Sequence, residues 1–284
     1  MDFGLKNFDE NGFAYPLKLK KNFQPGVLEN EYNKFQDECK NKLNYKASLK
    51  PNLLSKFFND LAFDENVISS VKQIIGEDIY IWSSAFFPKD PGEGKIVSFH
   101  QDNPYWQLTS NNVVSAWIAL TKSTEASGAL SVVPKSHKKG IIKKLDVKNA
   151  RESYLKGEKT TSEKDLLSYN QNLDEFIKIN PPKCLELNAG EFSIHHVNTV
   201  HGSGVNTTNQ PRIGYAVRYV TSDTKHLIEK KGDSAIHVCG KKNSYFADEI
   251  TPNESFSNES IINYEKAMKA AGSFGNKKYV FEKK

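Results

Sequence analysis

A histidine and an aspartate two residues apart, His100 and Asp102, interrupt the apolar stretch KIVSFHQDNPYW. In an extended strand alternate side chains share a face, so this spacing aims an imidazole and a carboxylate at the same place. They form two legs of a metal site, and a third leg must come from elsewhere in the chain. Of the seven histidines, three fall in one later segment, HHVNTVHGSGVN, as His195, His196 and His201. Two histidines and one carboxylate leave open positions on Fe(II), which suits oxygen activation beside a bound co-substrate. A fourth, closing ligand would favour zinc instead.

The arginines point the same way. Among 39 Lys and Arg residues only three are Arg, at positions 151, 212 and 218. A chain that uses lysine for generic positive charge keeps guanidinium forks for places where a carboxylate is gripped by two parallel hydrogen bonds. Arg212 opens the apolar segment RIGYAVRYV, eleven residues after His201. From there it can clamp the remote carboxylate of a dicarboxylic co-substrate whose keto-acid end chelates the metal. Arg218 shares its strand face, but six strand rises, about 20 Å, separate the two. A structural ion pair is the expectation for Arg218.

The elements that would position these residues change period along the chain. Residues 1–28 read as an irregular lead-in. Residues 29–78 are helical in pattern, with Pro51 suited to a helix start and Gly76 to a helix stop. Beyond Gly76 come short aromatic and β-branched runs: IYIWSSAFFP, KIVSFHQD, VVSAWIAL, ALSVVP, CLELNAGEFSIHHV and RIGYAVRYVTS. A polar excursion at 138–178 separates them into two groups, and ESIINYEKAMKAAG closes the chain as a helix. The fold class expected is mainly β with helical additions, an antiparallel sandwich or barrel buttressed by N-terminal helices. No Gly-rich phosphate-binding turn is present.

Composition bounds the rest. The net charge of +5, densest in KSHKKGIIKK, reads as a solvated face and not as a nucleic-acid surface. No apolar run reaches the roughly 18 residues of a membrane helix, and MDFGLKNFDENG lacks the pattern of a signal peptide. The three cysteines, Cys39, Cys184 and Cys239, form no CxxC pair. They fit a reducing, cytoplasmic setting.

Three blocks, FHQDNPYW, SAWIALTKSTEASGALSVVPKSHKKG and LNAGEFSIHHVNTVHGSGVNTTNQPRIGYAVRYV, stand in an order and at spacings that resemble the phytanoyl-CoA dioxygenase family of Fe(II)/2-oxoglutarate oxygenases. Together they span roughly 79–222. A softer resemblance is to a bacterial branch that acts on small polar molecules such as aminoalkylphosphonates. The resemblance implies a double-stranded β-helix, a jelly-roll or cupin-like core over residues 79–222. Within a single domain over 1–284, residues 29–78 would be the helical part and 223–284 an extension. It implies iron on His100, Asp102 and His201, and 2-oxoglutarate held by Arg212, Ser203 and Trp117. The reaction implied is hydroxylation of a small molecule with O2, releasing succinate and CO2. With Asp102 present, the position that related halogenases open to chloride is filled.

Tyr105, Trp106, His196 and Asn206 are the expected substrate-lining residues, and Lys89 is expected to be a solvated turn lysine. The substrate is expected to be anionic or zwitterionic. Two alternatives compete: a jelly-roll that binds a small ligand without turnover, and a cupin-type metal enzyme that does not use 2-oxoglutarate. Where this family often has glycine in the proline–Ser–His turn, the chain has Lys135, which puts the shape of that turn in question.

Overall fold

The computed structural model of the protein describes residues 3–43, 46–144, 162, 164–167, 171–227, 233–243 and 245–270. Much of the polar excursion, including Arg151, and the last fourteen residues lie outside the described residues. Among the described residues no helix is long and apolar enough to cross a membrane.

Two facing sheets form the core. The larger is built from β1 (Phe13–Lys18), β2 (Ile79–Lys89), β4 (Val113–Ala119), β7 (Glu191–His196), β9 (Arg212–Thr221), β10 (Ser234–Cys239) and β11 (Ala247–Asp248). Its spatial order is β1-β7-β4-β9-β2-β10-β11. The smaller contains β3 (Val97–His100), β5 (Leu130–Val132), β6 (Lys183–Cys184) and β8 (His201–Ser203), in the order β3-β8-β5-β6. All pairings are antiparallel except β10 with β11. This architecture is the expected double-stranded β-helix, with two differences at its ends. The lead-in supplies β1, which pairs with β7, and the C-terminal extension supplies β10, which pairs with β2. Neither was legible, because each spans only six residues and so leaves little periodic signal.

Alternation along β9 divides its side chains between two environments. Ile213, Tyr215, Val217 and Tyr219 face the main core, where the Tyr215 hydroxyl donates to the Phe58 carbonyl (3.1 Å) and the Tyr219 hydroxyl to that of Ala62 (2.6 Å). Both bonds tie the sheet to helix α3 (Lys56–Ala62), which follows α1 (Phe8–Asn11) and α2 (Val27–Glu38) and precedes α4 (Glu65–Ile75). Ser55 and Asp64 cap α3 and α4 through their side-chain oxygens, and Gly76 ends α4 at φ 90°. The rings of Phe35, Phe58, Phe86 and Tyr215 pack edge-on between the helices and the sheet. Arg212, Gly214, Ala216, Arg218 and Val220 take the other face, toward the interior of the β-helix.

Of the described α-helices after the first sheet strands, the first two are short and the last spans 13 residues. α5 (Asn103–Trp106) follows β3, and α6 (Asp174–Ile179) and α7 (Asn258–Ala270) come later. The proline–Ser–His turn keeps its shape because Lys135 adopts the left-handed conformation at φ 64° that a glycine would take. Its backbone N–H donates to Asn11 (2.9 Å), and its ammonium pairs with Glu10 at 2.5 Å.

Candidate metal and co-substrate centre

β3 ends at His100, two residues short of a continuous strand through Asp102. Asp102 instead heads α5, with helical φ and ψ, and Pro104 favours that helical start. The backbone N–H groups of Asp102 and Asn103 both donate to the Val197 carbonyl, pinning the turn to the end of β7. The two side chains still converge, by this turn and not by strand alternation. β8 lies beside β3 with His201 opposite His100, which brings in the third residue. Donor atoms of His100, Asp102 and His201 all lie within 4.8 Å of one another, and all three residues are buried.

The donor chemistry fits a metal ion. His100 Nδ1 lies 2.8 Å from the Ser98 carbonyl and His201 Nδ1 lies 2.9 Å from the Thr199 carbonyl. Each contact lets Nδ1 face the backbone and turns Nε2 toward Asp102, at 3.5 and 3.8 Å. Burial and the neighbouring His100 keep the His201 imidazole well below its ordinary pKa. The Asp102 carboxyl is held well below its ordinary range: the surrounding imidazoles outweigh its burial.

His195 stands beside this cluster. Its Nε2 is 3.8 Å from Asp102 and its ring centroid 4.5 Å from that of His201. Among the described residues the compact donor group contains only His100, Asp102 and His201, so no fourth ligand closes the site. Of the adjacent pair, His195 faces inward and His196 outward. The His196 ring packs 5.4 Å from that of His137, and its Nδ1 accepts from the Asn198 N–H (3.0 Å). The expectation that His196 lines the pocket is therefore corrected. Strand alternation allowed one of the two inward, and the β4–β7 register, with Ser115 opposite His195, selects His195.

The second part of the centre holds Arg212 and Ser203, as expected, and a residue missed in sequence, Lys89. Lys89 is 1% exposed and Arg212 is 2% exposed, and they are direct cross-strand partners on β2 and β9. The Lys89 ammonium donates to the Ser203 hydroxyl (2.6 Å) and carbonyl (3.1 Å), and to the Gly204 carbonyl. Arg212 donates to the carbonyls of Phe87 and Gly128, both at 2.8 Å, and lies 5.5 Å from the Trp117 ring, while its Nε has no partner. Burial and the Arg212 charge push the Lys89 ammonium down to about 7, and burial lowers Arg212 to about 10. The turn cluster after Lys89 suggested exposure. The register instead extends β2 to Lys89 and turns it inward.

Other buried polar atoms on the same inner face also lack partners: Ser115 Oγ, Ser193 Oγ and His195 Nδ1. Unsatisfied buried groups cost about 1–3 kcal/mol each, so their gathering on one face marks space for polar ligands. Tyr105 packs edge-on against His100 at 5.5 Å, and Trp106 against Trp82 at 5.3 Å, both beside the cluster. Asn206 is corrected as a pocket wall. Its amide donates to the carbonyls of Lys89 (2.9 Å) and Gln210 (2.8 Å), and its Oδ1 accepts from Thr208. It braces the loop that carries Arg212.

Fold and site together define a double-stranded β-helix protein with a buried two-histidine, one-carboxylate centre and an adjoining pair of buried cations. The model of the phytanoyl-CoA dioxygenase (PhyH) family matches residues 26–214, and the chain belongs to that family. A probable alpha-ketoglutarate-dependent hypophosphite dioxygenase of Stutzerimonas stutzeri is 27% identical over 178 residues, covering 63% of this chain and 58% of that protein. An ectoine dioxygenase of Streptomyces coelicolor is 31% identical over 169 residues, covering 56% of this chain and 53% of its own. The matches thus span little more than half the length of these curated relatives. Among solved structures, the non-heme monooxygenase ThoJ in its apo form superposes with a TM-score of 0.77 at 21% identity, covering 98% of this chain and 99% of that one. CytC3 with Fe(II) and alpha-ketoglutarate gives 0.61 at 19% identity, covering 90% of this chain and 97% of that one.

Proposed function

We propose that the chain is an Fe(II)- and 2-oxoglutarate-dependent dioxygenase that hydroxylates a small molecule. One observation carries the reading. A buried His100–Asp102–His201 cluster adjoins two buried cations, Lys89 and Arg212, that have no carboxylate partner among the described residues. Two buried cations, with only the Asp165 charge partly offsetting that of Lys89, call for an anion, and a dicarboxylate reaching from the metal to Arg212 supplies one. His100, Asp102 and His201 would hold Fe(II). Arg212, with Ser203 and Lys89, would take the remote carboxylate of 2-oxoglutarate, and Trp117 would wall that end. With these groups bound, the iron centre supplies the oxidising chemistry that inserts oxygen into a substrate C–H bond, with release of succinate and CO2.

The protein orients and shields this chemistry. The backbone carbonyls of Ser98 and Thr199 orient both imidazoles, turning Nε2 of each toward Asp102. Burial by β2, β4 and β9 excludes water from the co-substrate end. The Asp102 carboxylate occupies the position that a halide would need, which favours hydroxylation. An ectoine and a hypophosphite dioxygenase among the relatives support a small polar substrate. The three cysteines, all free, are consistent with a cytoplasmic setting.

The test is an anaerobic titration of metal-free protein with Fe(II) and then 2-oxoglutarate, followed by the visible charge-transfer band of the iron-chelated keto acid. The band should form in the wild type and require far more 2-oxoglutarate in Arg212→Ala. No band, with tight zinc binding instead, would sink the reading.

A further inference from the structure

A second arginine on the inner face remains unemployed. Arg218 is in register with Ser83 on β2 and Ser115 on β4, and Ser115 faces His195 on β7. This row stands level with the metal cluster, because His195 Nε2 is 3.8 Å from Asp102. The Arg218 guanidinium rests 5.5 Å from the Phe87 ring and 5.7 Å from the Trp106 ring. Among the described residues it makes no hydrogen bond and no ion pair, so the expected structural pair is absent. It opens instead into a cavity that it lines with Leu49, Lys50, Trp82, Ser83, Trp106 and Met268. The other cation of that wall, Lys50, is already committed, donating to the Ser234 carbonyl at 3.0 Å and pairing with Glu249.

Two aromatic faces stabilise a guanidinium, but by less than the cost of withdrawing its charge from water. The Asp102 charge reaches it only through space, beyond ion-pair distance, and would be neutralised by a bound metal. A fork-shaped donor with no acceptor, facing a cavity that shares Trp106 with the helical turn headed by Asp102, is placed to receive an anion.

We propose that Arg218 anchors an anionic group of the substrate, a carboxylate or a phosphorus oxyanion, over Trp106 at the end of β9 away from Arg212. The proposal rests on the iron and 2-oxoglutarate reading of the centre. Along one strand, Arg212 then serves the co-substrate and Arg218 the substrate, and the spacing between them keeps the two anions apart.

The experiment titrates anaerobic protein carrying Fe(II) and 2-oxoglutarate with methylphosphonate and, separately, with propionate. The iron–keto-acid band and tryptophan fluorescence are followed together. At least one probe should perturb both signals in the wild type, and the tighter one identifies the anion class. In Arg218→Met the probe should bind about thirtyfold or more weakly, with the 2-oxoglutarate titration unchanged. Arg218→Lys, which keeps the charge but not the fork, should fall between. Thermal melts of both variants report folding. Equal probe binding in wild type and Arg218→Met, or no perturbation of the wild type by either probe, overturns the proposal. Loss of the band in Arg218→Met with its retention in Arg218→Lys also overturns it, by assigning the charge to support of Asp102. If the wild type forms no band, the iron reading fails. The fluorescence arm, repeated on metal-free protein, then decides the arginine's role on its own.

Discussion

Lys89→Met isolates the energetic consequence of burying an amine beside a guanidinium. In the metal- and co-substrate-free protein, burial first and then the Arg212 charge push the Lys89 ammonium down to about 7, and the Asp165 charge offsets this only in part. The unfolded chain holds the same proton to about pH 10.4. Between these values the unfolded state binds more protons than the folded one, so folding stability rises with pH across that window. Below pH 7 both states are charged and the folded state carries the full penalty, of about 5 kcal/mol by this shift. Above pH 10.4 both are neutral and the penalty is gone.

From pH 7 to pH 9, wild-type stability should therefore gain about 2 kcal/mol that Lys89→Met does not. Losing the bonds to Ser203 and Gly204 costs the variant a constant amount, so the comparison of slopes is unaffected. Urea unfolding of both proteins at a series of pH values measures the difference. Parallel pH profiles would refute the claim that Lys89 is a buried, depressed amine. The same linkage requires 2-oxoglutarate binding above pH 7 to take up a proton, because the incoming carboxylate restores the charged form. Calorimetry in buffers of different ionisation enthalpy reads that uptake.

Other perturbations test the surroundings. A Cβ on Gly214 would lie 2.0 Å from Trp117 Cζ2, so Gly214→Ala must displace the ring beside Arg212. It should cost about 1–3 kcal/mol in thermal or urea unfolding and weaken 2-oxoglutarate binding in the band titration. Asp233 is buried, accepting from Trp82 Nε1 (2.7 Å) and the Ser234 N–H (2.9 Å) and pairing with His226 Nε2 (2.8 Å). These partners outweigh burial and hold its carboxyl below the ordinary range. Asp233→Ala should cost about 3 kcal/mol near neutral pH, a difference that shrinks on acidification as the wild-type carboxylate is protonated. His196→Ala should leave Fe(II) binding unchanged and cost about 1 kcal/mol through the lost Asn198 bond; impaired iron binding would contradict its outward orientation.

The chemistry-bearing residues were legible because their types are rare and their spacing narrow. His100 with Asp102, the histidine cluster and the isolated arginines already indicated a metal centre with an anion clamp. The helices at 27–75 and the strands of the core showed through their periods and caps, since burial of one face leaves a mark in the order of residues. Tertiary structure decided what depends on cross-strand register and on distant partners. Sequence could say that only one of His195 and His196 faces inward, and pairing of β7 with β4 chose His195. A lysine beside a turn cluster looks solvated until pairing with Arg212 carries β2 one residue further and buries it. The His100–Asp102 pair converges through the end of a strand and a helical turn, because Val197, just past the end of β7, captures both N–H groups there. Whether Arg218 has a partner depends on what the remaining strands bring opposite it. They bring two aromatic rings and a cavity, and no carboxylate among the described residues.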